Sequence, residues 1–462
     1  MPAKNNKAYS FIKDLLSLIT VMVCLLAMVG CAPFTNKDDA CPLTDVTVTG
    51  LKDKGKVDKY HKGIDEPMST LMGSSGAKAC AVAVVTDNQL RTINGYGNTP
   101  FASGVIASDI NTPWVAQTRF YIGSISKTVT ALAMLKLAEQ RSDVNIDQPL
   151  KELFPTVNET PEWANFTIRK YLAHGTGVRE NPSSSNLNDE AVFNDLITQA
   201  DPHPGIYPRY AYYAYKGDAG PIEPFPQQFT ARYSNIGYAL VGAAIDYQTA
   251  VNTTGDPIGY ERYVYENIAK NNGSVNVEPT MLSMCLGTKW RAPNMVNLAQ
   301  GWSKDGDMLP PPQYSGWEGP PGGWTMTIGD LGRLMIAINS NARISQTTRD
   351  NDMLSSNNKE TPYHDDISMP FYWGLGVYRG IALDGFIYGK GGDATGYGFT
   401  SDFIMYRDQG AGAAIICNQD GTRHSLLHNV IKSIIQPCLT TSATDKPAYC
   451  DGSPEVAERK TQ

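Results

Sequence analysis

Phe120-Tyr121-Ile122-Gly123-Ser124-Ile125-Ser126-Lys127 runs straight into Thr128-Val129-Thr130-Ala131-Leu132-Ala133-Met134-Leu135, and there is no glycine or proline from Ser124 to Gln140. The apolar residues from Val129 to Ala138 cover most of a helical surface and not a single stripe, which predicts a helix buried on nearly all sides. At its start stands Ser-x-x-Lys. Residues three apart share a helix face, so Lys127 comes beside the Ser124 hydroxyl, and a helix N-terminus favours negative charge developing there. Burial disfavours the charged form of a lysine, which makes it available as a base near neutral pH.

Four letters alone carry little. The same pattern occurs at Ser10–Lys13, Ser75–Lys78 and Ser356–Lys359, and a serine cap followed by a solvated lysine produces it as well. Only the Ser124 copy opens a long apolar helix. Two further motifs follow it in order. In Tyr233-Ser234-Asn235 the outer residues point the same way if the segment is extended, and a phenol near lysines is suited to relay protons. In Lys390-Gly391-Gly392 the lysine and Gly392 share one face of a strand, and the missing side chains let a substrate backbone come close.

With these residues the chain resembles the serine beta-lactamase and penicillin-binding protein superfamily. The likeness is to the branch holding class C beta-lactamases, D-alanyl-D-alanine carboxypeptidases, D-aminopeptidases and related esterases. That branch carries Ser-x-x-Lys, Tyr-x-Asn and Lys/His-x-Gly in this order, here with a longer first interval. Ala81-Val82-Ala83-Val84-Val85 with Gly95-Tyr96-Gly97, His174-Gly175-Thr176-Gly177-Val178 and Tyr372-Trp373-Gly374-Leu375-Gly376 extend the resemblance across roughly residues 60 to 437. The resemblance implies an α+β fold of the beta-lactamase/transpeptidase type, an antiparallel sheet flanked by helices with an inserted, mostly helical subdomain.

It implies chemistry too. Ser124 is acylated, Lys127 and Tyr233 share the general-base role, and Asn235 orients the acyl amide. Lys390 tunes Tyr233 and attracts anionic groups, and the oxyanion rests on the backbone N–H groups of Ser124 and of Asp393, which follows Gly392. The implied function is a serine hydrolase of a D-amino-acid peptide, a beta-lactam or a small ester or amide. The alternative is a penicillin-binding-type sensor or binding module that acylates without turnover. Two departures bear on the substrate: Gly391 stands where class C lactamases have threonine, and Asp393 where a small neutral residue is usual. A carboxylate there repels a substrate carboxylate.

Outside these motifs the chain is more ordinary. Its 462 residues, 42% hydrophobic and 18% charged with a formal net charge of -7, describe a globular protein with a real core and no basic footprint for nucleic acid. Lys4, Lys7 and Lys13 precede an apolar run ending in Met28-Val29-Gly30-Cys31, the layout of a secretory signal. The small residue before Cys31 resembles a bacterial lipobox, with Cys31 lipidated; an uncleaved anchor is the other reading. Either places the rest outside the cytoplasm, tethered to a membrane, at the periplasmic face of the outer membrane or the cell surface. The expected division is a signal peptide over 1–30, a polar tether over 31–57, the hydrolase domain over 58–440 and a tail over 441–462.

Cys80 and Cys417 sit in apolar strand-like runs, where a buried free thiol is as good a reading as a bridge. Cys438 and Cys450 flank a short polar stretch and are the best candidates for a disulfide. The six histidines form no HxH or HExxH pattern, so neither a metal nor a cofactor is expected. His174 ends a helix in a turn and has a structural hydrogen-bonding role. The tyrosine-rich segment 203–229, and Trp302, Trp317 and Trp324, are either a wall that selects substrate or covers for their own surroundings. Nothing in the sequence bears on oligomeric state.

Overall fold

Ala79–Thr86 (β1), Phe399–Tyr406 (β9) and Ala411–Cys417 (β10) are buried along their whole length. Runs of valine, isoleucine, alanine and phenylalanine without alternation are what a strand covered on both faces requires. The computed structural model describes residues 62–97, 118–154, 162–178, 231–250, 258–270, 280–287, 295, 297–310, 318–358, 371–382, 385–439 and 446–451. The expected signal peptide, Cys31, the tether, a helix expected over 190–200, the tyrosine-rich segment and Trp317 lie outside the described residues.

Among the described residues the remaining strands are Gln89–Gly97 (β2), Arg119–Tyr121 (β3), Cys285–Leu286 (β4), Trp324–Thr327 (β5), Tyr372–Trp373 (β6), Tyr378–Ala382 (β7) and Gly385–Ala394 (β8). Seven of the ten form one sheet in the order β2-β1-β10-β9-β8-β7-β6, antiparallel at each pairing. Strands from the two ends of the chain thus meet at the β1–β10 pairing. The others form a small β3-β5-β4 sheet.

Five principal helices accompany them: Lys62–Ser75 (α1), Ser126–Gln140 (α2), Asn235–Ala250 (α3), Ile328–Asn339 (α4) and His424–Leu439 (α5). One face of the large sheet, with Val82, Val84, Ile404, Ala413 and Ile415, packs in a single core with Ile64, Met68 and Leu71 of α1 and Leu427, Ile431 and Ile434 of α5. α4 packs on the other face against β1, β2 and β10. This is the expected α+β architecture.

The structure corrects or decides the sequence reading at several places. Tyr372 to Tyr378, an apolar run that reads as one strand, forms two, because Gly376 takes φ +79° and lies where a Cβ would meet Ala131 Cβ at 2.5 Å. The chain must turn there to clear α2. β8 carries Lys390, Gly391 and Gly392 within it, in the strand placement expected of them. Cys80 and Cys417 are not free: they are register partners on β1 and β10, with Cα atoms 4.1 Å apart, and are joined in a disulfide. The expected Cys438–Cys450 bridge is present. The short helix Ala448–Asp451, placed by sequence in the tail, packs against β1 and β2, where the Thr92 hydroxyl donates to the Tyr449 carbonyl at 3.3 Å.

β8 and the turn before α2 approach unusually closely. A Cβ at Gly392 would stand 2.1 Å from the Ile122 carbonyl oxygen and 3.0 Å from the Ile125 nitrogen. The Ser401 hydroxyl fastens the crossing, donating to the Ile122 carbonyl at 3.0 Å. Gly392→Ala therefore overpacks rigid backbone and is expected to lower stability by about 1–3 kcal/mol, read as a fall in the urea midpoint. Gly73→Ala, in α1 with open space around it, is the control and leaves the midpoint unchanged or higher.

Candidate active site

The helix expected to start at Ser124 begins two residues later. Gly123–Ile125 is a turn of 3-10 helix, and α2 starts at Ser126. Gly123 adopts φ +49°, and a Cβ on it would lie 2.6–2.7 Å from the backbone atoms of Asp393. Glycine is thus required twice over, by its dihedral and by the strand pressed against it. Trp324 holds the turn from the other side: its N–H donates to Ser126 Oγ at 3.1 Å and its carbonyl accepts from the Ile122 N–H at 3.1 Å. The Ser124 side chain is left half-buried between the strand and the helix.

Lys127 is fully buried. Its Nζ donates to Ser124 Oγ at 3.1 Å, to Asn235 Oδ1 at 2.6 Å and to the Pro321 carbonyl at 2.9 Å. A buried ammonium needs such partners, because desolvation without them is prohibitive. Tyr233, just before α3, donates its hydroxyl to Ser124 Oγ at 2.5 Å. Two cations lie close to the ring of Tyr233, with Lys127 Nζ 4.6 Å and Lys390 Nζ 4.9 Å from its centroid. Lys390 also lies 4.8 Å from the ring centroid of Trp373. Burial brings the Lys390 ammonium down to about 8, partly opposed by the charges of Asp402 and Asp393.

His174 holds Tyr233 from behind. Its ring centroid is 4.6 Å from that of Tyr233, and its Nδ1 accepts the Ser234 N–H at 3.1 Å. Burial, and then the charges of Lys390 and Lys127, hold its pKa well below the ordinary histidine value. The neutral ring with an unprotonated Nδ1 that this implies is the form needed to accept from Ser234. This agrees with the structural role read from its turn.

The structure therefore gathers Ser124, Lys127, Tyr233 and Asn235 through direct hydrogen bonds, adds Lys390 through the Tyr233 ring, and brings Gly392 and Asp393 to the Ser124 turn through the strand crossing. Trp324 does not face the site as a wall; it is fully buried and its Nε1 donates to the Tyr260 hydroxyl at 3.0 Å. Among the described residues there is no cluster of three side chains able to hold a metal ion.

Sequence reasoning passed over His424 and His428. Asp393 Oδ2 accepts from His424 Nε2 at 2.7 Å, and the buried Asp402 accepts from His428 Nδ1 at 3.0 Å. The two histidines are four apart on the first turns of α5, so they share a face. That spacing was the available signal, but only the fold sets it over β8 and β9.

A family model described as Beta-lactamase matches residues 64–432. The chain is 24% identical over 391 residues to "Beta-lactamase-like protein 4" of Dictyostelium discoideum, an alignment covering 79% of this chain and 61% of that protein. The chain thus spans about three fifths of the length of that relative. Among solved structures it resembles a penicillin binding protein from Bacillus halodurans, at 20% identity and TM-score 0.56, over 79% of this chain and 98% of the other. It also resembles D-amino acid amidase from Ochrobactrum anthropi SV3, at 17% identity and TM-score 0.56, over 80% and 95%. These structural likenesses bear on the fold, while the family match takes in every strand and principal helix apart from the first two residues of α1 and the end of α5. The chain belongs to the Beta-lactamase family, within the serine beta-lactamase and penicillin-binding protein superfamily.

Proposed function

We propose that the protein is an acyl-serine hydrolase with Ser124 as nucleophile. One observation carries the reading: Ser124 Oγ lies within hydrogen-bond distance of both Lys127 Nζ and Tyr233 OH, at 3.1 and 2.5 Å. With both partners protonated, each donates to the serine oxygen. Loss of a proton from either reverses one bond and lets the serine hydroxyl donate. Ser124 Oγ then attacks the substrate carbonyl, its proton passes through Tyr233 or Lys127 to the leaving group, and the acyl–leaving-group bond breaks. Water repeats the sequence on the acyl-enzyme, releasing the acid and returning the proton.

Two ammonium groups within about 5 Å of the Tyr233 ring favour negative charge on its oxygen. In this reading the Asn235 amide orients the acyl group, and the N–H groups of Ser124 and Asp393 receive the oxyanion. The range of substrates proposed is a D-amino-acid peptide or amide, a beta-lactam or a small ester. The fold shared with a D-amino acid amidase supports an amide among them. We include export and lipidation at Cys31 in the proposal; two disulfides among the described residues support an oxidising compartment. No helix of the described residues is long and apolar enough to cross a membrane.

Incubation with a fluorophosphonate or a penicillin followed by peptide mass spectrometry is expected to show one adduct, on Ser124. Ser124→Ala abolishes it and lowers hydrolysis of p-nitrophenyl esters and D-amino-acid amides by about a thousandfold or more. An unlabelled Ser124 overturns the proposal, and a labelled Ser124 in a protein that hydrolyses none of these esters or amides identifies a sensor. The pH profile gives a second check. Lys390 is charged below about 8 and neutral above it. Its charge supports Tyr233, so kcat/KM for a neutral ester falls as pH rises through about 8, and this limb is absent in Lys390→Arg, whose guanidinium stays charged.

A further inference from the structure

The motif strand carries a charge arrangement that the acyl-transfer reading leaves unused. The last position of β8 paired to β7 is Gly389, opposite Tyr378. From Lys390 to Ala394 the strand continues, among the described residues, with β9 on one side only, and its backbone lies against the Ser124 turn. Gly391 is opposite Asp402 in the register and two residues from Asp393, so all three share a face.

His424 fills that face. A Cβ on Gly391 would stand 2.6 Å from both Cε1 and Nδ1 of its ring. His424 Nε2 donates to Asp393 Oδ2 at 2.7 Å, and its Nδ1 faces Asp402 Oδ2 at 3.5 Å, a charge contact more than a hydrogen bond. Asp402 is further held by the Tyr378 hydroxyl at 3.0 Å and by His428 Nδ1. Burial opposes the charged imidazole, but the two carboxylates outweigh it and push His424 up to about 10. The cation is therefore present at neutral pH, and its Nε2 proton is already committed to Asp393. Both partners reach the rim, Asp393 with 43% of its side chain exposed and His424 with 34%.

Resting on the acyl-serine reading, we propose that Asp393 and His424 form a specificity device that selects acyl donors bearing no carboxylate beside the scissile bond. The site then takes amides, esters and amidated peptides in preference to free C-terminal peptides and beta-lactam acids. Asp393 repels the anion, and His424 holds that carboxylate in place while directing its own Nε2 proton to Asp393 and not to the substrate.

The test uses two N-benzoyl-D-alanyl thioesters that differ only in the leaving thiol, thioglycolate or thioglycolamide, with release read by a thiol dye. The wild-type protein is expected to favour the carboxamide by a few-fold to about tenfold in kcat/KM, an effect of a carboxylate near the bond that its ion pair with His424 compensates only in part. Asp393→Asn exposes the His424 cation and lowers this preference about tenfold, and His424→Gln leaves Asp393 uncompensated and raises it. The opposite directions separate a charge effect from damage to the fold. Preference of the wild type for the carboxylate, or an unchanged ratio in Asp393→Asn, overturns the proposal. If neither thioester is cleaved and Ser124 takes no label, the acyl-serine reading is what fails.

Discussion

The burial of the Lys127 ammonium is the constraint on which the rest of the site depends. A cation removed from water must be surrounded by acceptors, and Lys127 takes them from three parts of the chain: its own turn at Ser124, the start of α3 at Asn235, and the Pro321 carbonyl. The last comes from the short helix Gly319–Gly322, which is wedged between α2 and α3. Thr130 donates to the Pro320 carbonyl at 2.7 Å, and a Cβ on Gly242 of α3 would lie 2.2 Å from Pro320 Cγ. Satisfying one charge thus fixes the relative positions of the two central helices and of the residues they carry. Structural need and proposed chemistry coincide in a single side chain.

This coincidence explains what could be read in advance. The strands β1, β9 and β10 and the helices α2, α3 and α5 announce themselves through local apolar runs, which burial on one or both faces dictates. Ser124, Lys127, Tyr233, Asn235 and Lys390 were legible because the resemblance orders them and because short-range geometry, three residues apart on a turn or two apart in an extended segment, makes their pairing testable against the folded chain. The start of α2 was read two residues early. The reason is local: with Gly123 at positive φ and strand β8 pressed on it, the backbone passes through a tighter 3-10 turn before the α-helix begins.

What the sequence withheld depends on register between distant segments. Cys80 and Cys417 are 337 residues apart, and only the antiparallel register of β1 on β10 sets them opposite one another. The same is true of Asp393, Asp402 and His424. Each looks unremarkable in its own neighbourhood: an acid after a glycine pair, an acid within an apolar strand, a histidine at a helix start. A buried aspartate on β9 is a local conflict with the apolar pattern, and such conflicts are where a compensating partner from elsewhere is to be sought. Here the partners are the two histidines of α5.

Seen this way, α5 does more than cover the sheet. At its first turns His424 and His428 grip β8 and β9 through Asp393 and Asp402; at its other end Cys438 is tied to Cys450. Between them Leu427, Ile431 and Ile434 are buried in the sheet core. The helix is therefore pinned electrostatically where it meets the motif strand and covalently where it leaves. Acyl transfer through an oxyanion pocket needs backbone donors that hold their positions while charge builds up. Among the described residues β8 has no second strand neighbour from Lys390 onward, so its rigidity there does not come from the paired strands alone. The contacts of Asp393 and Asp402 with α5, and the Ser401 hydrogen bond to the Ile122 carbonyl, supply it from the remaining sides.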